Sequence, residues 1–128
     1  MKINYALISR VLIALLFVIA GVGKIMGFSG MVGYIGSLGV PFPAIATILV
    51  IIVEVPVALA FAWGYRVRQM GWILIGFTIL ATLLVHRNIG DQTQMIMALK
   101  NIAIIGGILA AIKCACGCDA CKDCKVTR

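Results

Sequence analysis

Apolar residues fill four long blocks of the chain, and short stretches rich in glycine, proline or charge separate them. The blocks run from Ala6 to Met26, Pro41 to Trp63, Gln69 to Asn88 and Thr93 to Lys113. Each is close to the ~20 residues that an α-helix needs to cross the hydrocarbon core of a bilayer. Because the bilayer core offers no water to backbone polar groups, these blocks are predicted to be helical. The pattern therefore predicts an all-α fold, a transmembrane four-helix bundle.

Two features modify this simple pattern. In the long connection after the first block, Met31, Tyr34, Ile35 and Leu38 recur at helical spacing, which predicts a short helix at the membrane interface. In the second block, Pro56 lacks a backbone N–H and its ring clashes with a preceding carbonyl, so a local break in the helix is expected there.

Composition and charge agree with a membrane protein. Hydrophobic residues make up 63% of the 128 residues and charged residues 12%, about half the ~25% typical of soluble domains. The net charge of +7 does not indicate nucleic-acid binding, because the charges cluster at helix ends and no soluble surface carries a basic patch.

The distribution of lysine and arginine predicts the orientation. One side of the membrane receives Lys2, Arg10, Arg66, Arg68, Lys113, Lys122, Lys125 and Arg128, and the other receives Lys24, Arg87 and Asp91. The positive-inside rule then places the N- and C-termini in the cytoplasm. The expected location is a bacterial-type inner (plasma) membrane, as a multi-pass protein in contact with membrane lipid.

Glu54 is the strongest candidate for a catalytic residue. It is the only acidic residue among the first 90 positions and lies inside the second apolar block. An unpaired acid at mid-membrane costs about 2.5–3.5 kcal/mol, so such a residue is a functional-site candidate. It needs a partner, and both Lys100 and Arg10 are candidates. Two interpretations are equally open: a proton-carrying group in a polar pocket, and a buried structural ion pair.

The other polar positions within the blocks are fewer. Lys24 and Arg10 share one face of the first helix, and for each the simpler interpretation is a side chain that extends to the nearer interface. Thr78, Thr82 and His86 lie four residues apart. The threonines are expected to bond to their own helix backbone. His86, the only histidine, is the predicted end of a proton path and the second candidate catalytic residue.

All five cysteines follow the fourth block, with the spacing C-x-C-x-C-x2-C-x2-C. They are Cys114, Cys116, Cys118, Cys121 and Cys124. Several thiolates at such short spacing can converge on one ion, and soft thiolates favour Zn, Cu(I) or an iron–sulfur centre. Thiol–disulfide exchange through the two overlapping C-x-x-C pairs and a thiol-rich tail without a defined site are the alternatives.

The motifs in their order resemble the DoxX family of small four-helix membrane proteins. The resemblance covers roughly residues 5–113 and rests on Arg10, G-x-G-K at Gly21 to Lys24, the following GFSG and SLGVPFP, Glu54, G-x-R at Gly64 to Arg66, and His86. It predicts a DoxX-like transmembrane domain over residues 1–113, and residues 114–128 form a cysteine-rich cytoplasmic tail outside the usual family pattern. Arg10, Lys24, Arg66 and Lys100 are its candidate ligand-binding or charge-pairing residues.

The resemblance implies a membrane-embedded redox role that links thiol, sulfur or oxidative-stress chemistry to the quinone pool. A quinone is then the expected cofactor of the bundle. Two other functions remain open: a non-catalytic membrane partner of a soluble oxidoreductase, and metal handling with the tail as a chelating arm. Whether the protein is an enzyme is left open. A homodimer is plausible because four helices form a thin shell around a polar pocket.

Overall fold

The computed structural model describes residues 4–85 and 90–115. Within them the elements, in chain order, are α1 (Tyr5–Met26), α2 (Phe28–Ser37), α3 (Pro43–Ile52), a π-helical turn (Val53–Val57), α4 (Ala58–Trp63), α5 (Val67–Val85) and α6 (Gln92–Ala115). Four described segments are long and apolar enough to cross a membrane: Tyr5–Met26, Pro43–Trp63, Val67–Val85 and Gln92–Ala115. The predicted all-α fold with four spans is confirmed.

The short helix predicted in the long connection is also confirmed, as α2, and its position at the membrane interface stays a prediction. It follows α1 almost directly, because the single residue between them, Gly27, is both the C-cap of α1 and the N-cap of α2. It packs against α1 and α3 at the end of the bundle where these two helices are joined. The glycines of this segment lower its helix propensity, and its contacts with α1 and α3 offset that loss.

The second span passes through Pro56 without ending. A π-helical turn over Val53–Val57 joins α3 to α4, so the local break expected at the proline takes the form of a widened turn. Such turns inside α-helices accommodate a residue that cannot take part in the regular hydrogen-bond ladder, and they occur often at functional sites. Glu54 is the acidic residue of this turn and is buried.

We call the two ends of the bundle the terminal end, where α1 begins and α6 finishes, and the loop end, where α1 finishes and α6 begins. At the terminal end α1, α4, α5 and α6 pack together, and Phe61, Leu74 and Ile108 are fully buried. A left-handed Gly64, with φ of 95°, allows the tight turn from α4 to α5 there. The packed core of the described residues is concentrated in this half.

The loop end is more open. Among the described elements, α3 packs against α1, α2 and the π-helical turn but not against α5 or α6. The second span therefore packs against α5 only from the π-helical turn onward. A cavity lies between α3 on one side and α5 and α6 on the other.

The outer surface of the bundle is apolar. Large hydrophobic side chains on all four spans are exposed, with Trp63 at 90% the extreme. Exposed apolar area on this scale is rare on a soluble monomer, whereas it is the expected surface of a protein embedded in lipid.

Candidate functional site

A cavity of about 760 Å³ occupies the loop-end half of the bundle. Its walls come from α1, α2, α3, the π-helical turn, α5 and α6, and most of the lining side chains are apolar. The charged residues of the lining are Lys24, Glu54 and Lys100, and Asn101, Thr78 and Tyr34 add uncharged polar groups. The cavity is thus an apolar chamber with a small set of polar groups, which is the usual composition of a small-molecule site.

Glu54 forms an ion pair with Lys24 on the wall of this cavity. The Lys24 Nζ donates to both carboxylate oxygens, at 2.9 Å to Oε1 and 2.8 Å to Oε2. The Glu54 side chain is 6% exposed and that of Lys24 21%. The acid is therefore the buried member of the pair, and the lysine is the member with some access to its surroundings.

Gly21 brings α1 close enough for this contact. A Cβ atom at this position would lie 2.5 Å from Val55 Cγ2 and 3.0 Å from Glu54 Cβ, so no larger residue fits without a shift of the backbone. Gly21 lies almost one turn before Lys24 and on the same face of α1. The glycine allows α1 to lie close to the π-helical turn, and at this short distance Lys24 reaches Glu54.

The sequence predicted Lys100 or Arg10 as the partner of Glu54. Both predictions are wrong, because the structure pairs Glu54 with Lys24. The physical reason is the direction of side chains, since each Cα–Cβ bond in a helix tilts toward the helix N-terminus. On α1 this tilt carries Lys24 into the bundle, whereas on the antiparallel second span it carries Glu54 toward the loop end. The two side chains therefore lean toward each other.

The same rule explains why the other two cations do not reach the acid. Lys100 lies on α6, which begins at the loop end, so its side chain tilts outward, is exposed and contacts Met97 Sδ at 3.5 Å. Arg10 lies on α1 14 residues before Lys24, or about 21 Å along the helix. Its guanidinium lies instead beside Gly64, and its Nε is buried without a hydrogen-bond partner among the described residues.

A second polar group on the cavity wall is held by a hydrogen-bond chain between α5 and α6. Thr78 Oγ1 donates to the Leu74 carbonyl and Thr82 Oγ1 to the Thr78 carbonyl, each at 2.7 Å, as the sequence predicted for these threonines. Asn101 Nδ2 in turn donates to Thr82 Oγ1 at 2.9 Å. The stripe on α5 thereby positions an amide of α6, a role that the spacing of the threonines did not indicate.

Two of the remaining predicted site residues are described, Arg66 and Cys114, and neither lines the cavity. Arg66 lies at the terminal end, where its Nη1 donates to Gln69 Oε1 at 3.2 Å and its guanidinium lies 5.6 Å from the ring centroid of Tyr65. Cys114 lies on the last turn of α6, about 21 Å of helix rise from Lys100. His86 and the other four cysteines, Cys116, Cys118, Cys121 and Cys124, fall outside the described residues.

The described residues, 4–85 and 90–115, contain no group of three or more histidine, cysteine or acidic side chains that could hold a metal ion. Their chemistry is that of the cavity: an ammonium that donates hydrogen bonds, a carboxylate that accepts them and can take up a proton, and an amide that both donates and accepts. These are the groups needed to bind and protonate a ligand with oxygen atoms.

Comparison with known proteins gives one family and two relatives. The family model for DoxX matches residues 5–87. The inner membrane protein YphA of Escherichia coli (strain K12) is 37% identical over 109 residues, which cover 80% of this chain and 77% of that protein. The inner membrane protein YqjF of the same organism is 37% identical over 103 residues, with 80% and 78% covered. No solved structure gives a significant match.

Proposed function

The chain belongs to the DoxX family and is a multi-pass protein of the inner membrane, and on this premise we propose that it is a redox component that binds a quinone in the cavity of the bundle. Its electrons come from a thiol or sulfur donor. The observation that carries the proposal is the Lys24–Glu54 ion pair on the wall of an otherwise apolar chamber inside a membrane-spanning bundle.

The cavity fits a ligand that is dissolved in the membrane. Its volume of about 760 Å³ falls within the ~300–1,000 Å³ range of small-molecule sites. The apolar walls suit an isoprenoid or alkyl chain, and the polar groups at Glu54 and Asn101 suit the oxygen atoms of a headgroup. A quinone has both parts in one molecule.

The ion pair supplies the proton chemistry that this reaction needs. Reduction of a quinone to a hydroquinone takes up two electrons and two protons, and oxidation of two thiols to a disulfide releases the same number of each. The Lys24 ammonium has three N–H donors and can donate to a quinone oxygen while it contacts the carboxylate. Glu54 takes up a proton that the oxidised thiols release and transfers it to the quinone oxygen on which negative charge develops, and the second proton follows the same route.

The cysteines enter this proposal only as a separate site. Cys114 lies about 15 Å of helix rise from Ile104, the cavity-lining residue of α6 nearest to it, too far for its thiolate to contact a quinone bound in the cavity. We therefore assign electron donation to a thiol or sulfide compound that reaches the cavity. Binding of Zn, Cu(I) or an iron–sulfur centre by the five cysteines stays a prediction, as does the role of His86.

The test is quinone reduction by the purified protein in lipid vesicles, with a dithiol as donor. Wild type is compared with Glu54→Gln and with the matched control Asp91→Asn, the same change at an exposed carboxylate whose described contact is with the Thr93 backbone. We expect Glu54→Gln to lower turnover about 100-fold, because general acid–base groups contribute ~10²–10⁴-fold. The control is expected to retain wild-type turnover.

Two outcomes would contradict the proposal. Equal turnover in wild type and Glu54→Gln would exclude the acid from the proton transfer. No turnover in any of the three proteins would exclude catalysis and favour the alternative role of a membrane partner for a soluble oxidoreductase, to be tested by co-purification.

A further inference from the structure

Asn101 lies on the cavity wall, and its amide has only one orientation. Thr82 Oγ1 lies 2.7 Å from the Thr78 carbonyl oxygen. A carbonyl only accepts, and two oxygens at this distance repel unless a hydrogen lies between them, so the single hydroxyl hydrogen of Thr82 is directed at Thr78. The oxygen of Thr82 is therefore left as an acceptor only.

The direction of the Thr82 hydroxyl determines which atom of the Asn101 amide faces Thr82. The atom at 2.9 Å from Thr82 Oγ1 must be a donor, which is Nδ2 and not Oδ1. Asn101 Oδ1 is then an acceptor with no partner among the described residues, on a side chain that lines the cavity. A polar atom in an apolar chamber is unfavourable unless a ligand donates to it.

Lys24 and Asn101, two of the polar residues that line the cavity, thus differ in the hydrogen bonds that they can make to a ligand. The Lys24 ammonium can donate to an oxygen in either redox state of a quinone. Asn101 Oδ1 needs a hydrogen from the ligand, which a hydroquinone hydroxyl has and a quinone carbonyl lacks. The second N–H of the amide can donate to an oxygen of either form, so it does not discriminate between them.

We propose that Asn101, held by Thr82, makes the cavity selective for the reduced form of its ligand, a hydroquinone. This inference rests on the proposed function, because it specifies which form of the quinone the same cavity prefers. Asn101 is the specificity-determining residue, and Thr82 is a positioning residue that acts through it.

The test measures binding of decylubiquinone and of its reduced form to the full chain in lipid nanodiscs, by anaerobic titration calorimetry. For wild type we expect the reduced form to bind about 3- to 10-fold more tightly, the effect of one hydrogen bond that only this form can make. Asn101→Leu, an apolar replacement suited to the membrane, should bring the ratio of the two affinities close to one.

Thr82→Val separates the positioning role from a merely structural one. It retains Asn101 but removes the acceptor that orients the amide, so Asn101 can turn its NH2 group toward a quinone carbonyl. We expect the affinity for the oxidised form to rise and the ratio to fall. Thr47→Val is the matched control, since Thr47 is buried, bonds to the Pro43 carbonyl of its own helix and does not line the cavity.

The possible results separate the two proposals. Binding of both forms with equal affinity, or a ratio that survives Asn101→Leu, would overturn the selectivity and leave the quinone site intact. Tighter binding of the oxidised form by wild type would overturn the selectivity in the same way. Absence of binding of either form would overturn the proposed function and this inference together.

Discussion

Replacement of Lys24 by methionine should destabilise the protein far more than the same replacement of Lys100. Both lysines line the cavity, but only Lys24 contacts Glu54. Methionine retains most of the apolar length of lysine and lacks the charge. Lys24→Met therefore removes the ion pair with the buried Glu54, whereas Lys100→Met removes only an exposed charge.

The expected magnitude follows from the burial of the acid. Glu54, 6% exposed, would be left without a cation in the middle of the second span. Removal of one partner of a buried pair costs about 3–5 kcal/mol, and an unpaired acid at mid-membrane costs about 2.5–3.5 kcal/mol, so we expect about 3 kcal/mol. Lys100 is exposed, and its Nζ has one polar contact among the described residues, with Met97 Sδ, so Lys100→Met should change the free energy of unfolding by less than about 0.5 kcal/mol.

Glu54→Gln completes a double-mutant cycle. It should cost only about 1 kcal/mol, because Lys24 is 21% exposed and lies near the end of α1, where its side chain can extend to the interface. The combination of Lys24→Met with Glu54→Gln leaves no charge to bury and should cost about 2 kcal/mol, less than the two single changes together. The coupling free energy is then about 2 kcal/mol.

The assay is reversible unfolding of the purified protein in mixed micelles by titration with sodium dodecyl sulfate, followed by circular dichroism. Free energies of unfolding for wild type, the three single variants and the double variant give the coupling directly. A coupling below about 0.5 kcal/mol, or equal losses for Lys24→Met and Lys100→Met, would refute the assignment of Lys24 as the partner of Glu54.

Two pairs of glycine substitutions test the packing of the bundle. Gly21→Val should cost about 1–3 kcal/mol, because its Cβ would lie 2.5 Å from Val55 Cγ2, whereas Gly23→Val, with no atom within 4 Å of its Cβ, should cost less than about 0.5 kcal/mol in the same titration. Gly64→Ala should cost about 1 kcal/mol because φ is 95° there, and Gly76→Ala, in the interior of α5 with open space around its Cβ, should be neutral or stabilising. Equal effects within either pair would contradict the packing described.

The sequence predicted the helices well because the signal for them is local. Runs of about 20 apolar residues predicted four spans, and their boundaries differ from the observed ones by at most two residues at the ends that can be compared. The short helix α2 was predicted from four residues at helical spacing. Pro56 indicated an irregularity beside Glu54, although its form, a π-helical turn, depends on how the neighbouring helices hold the chain.

The site could be predicted only in part. Hydropathy alone identified Glu54, since a carboxylate in an apolar run stands out in any sequence. The choice of Lys24 over Lys100 or Arg10 needed the directions of side chains in antiparallel helices and the close approach at Gly21. The orientation of Asn101 needed a contact between residues 82 and 101, which share no pattern along the chain.

The sequence by itself determined that this protein spans a membrane with four helices and carries one acid within it, because hydropathy and helix length depend on neighbouring residues alone. Only the tertiary structure decided which cation meets that acid, where the helices separate and which way the Asn101 amide on the cavity wall is turned. These features depend on distances between residues that are 19 or 30 positions apart, and such distances are determined by packing between helices.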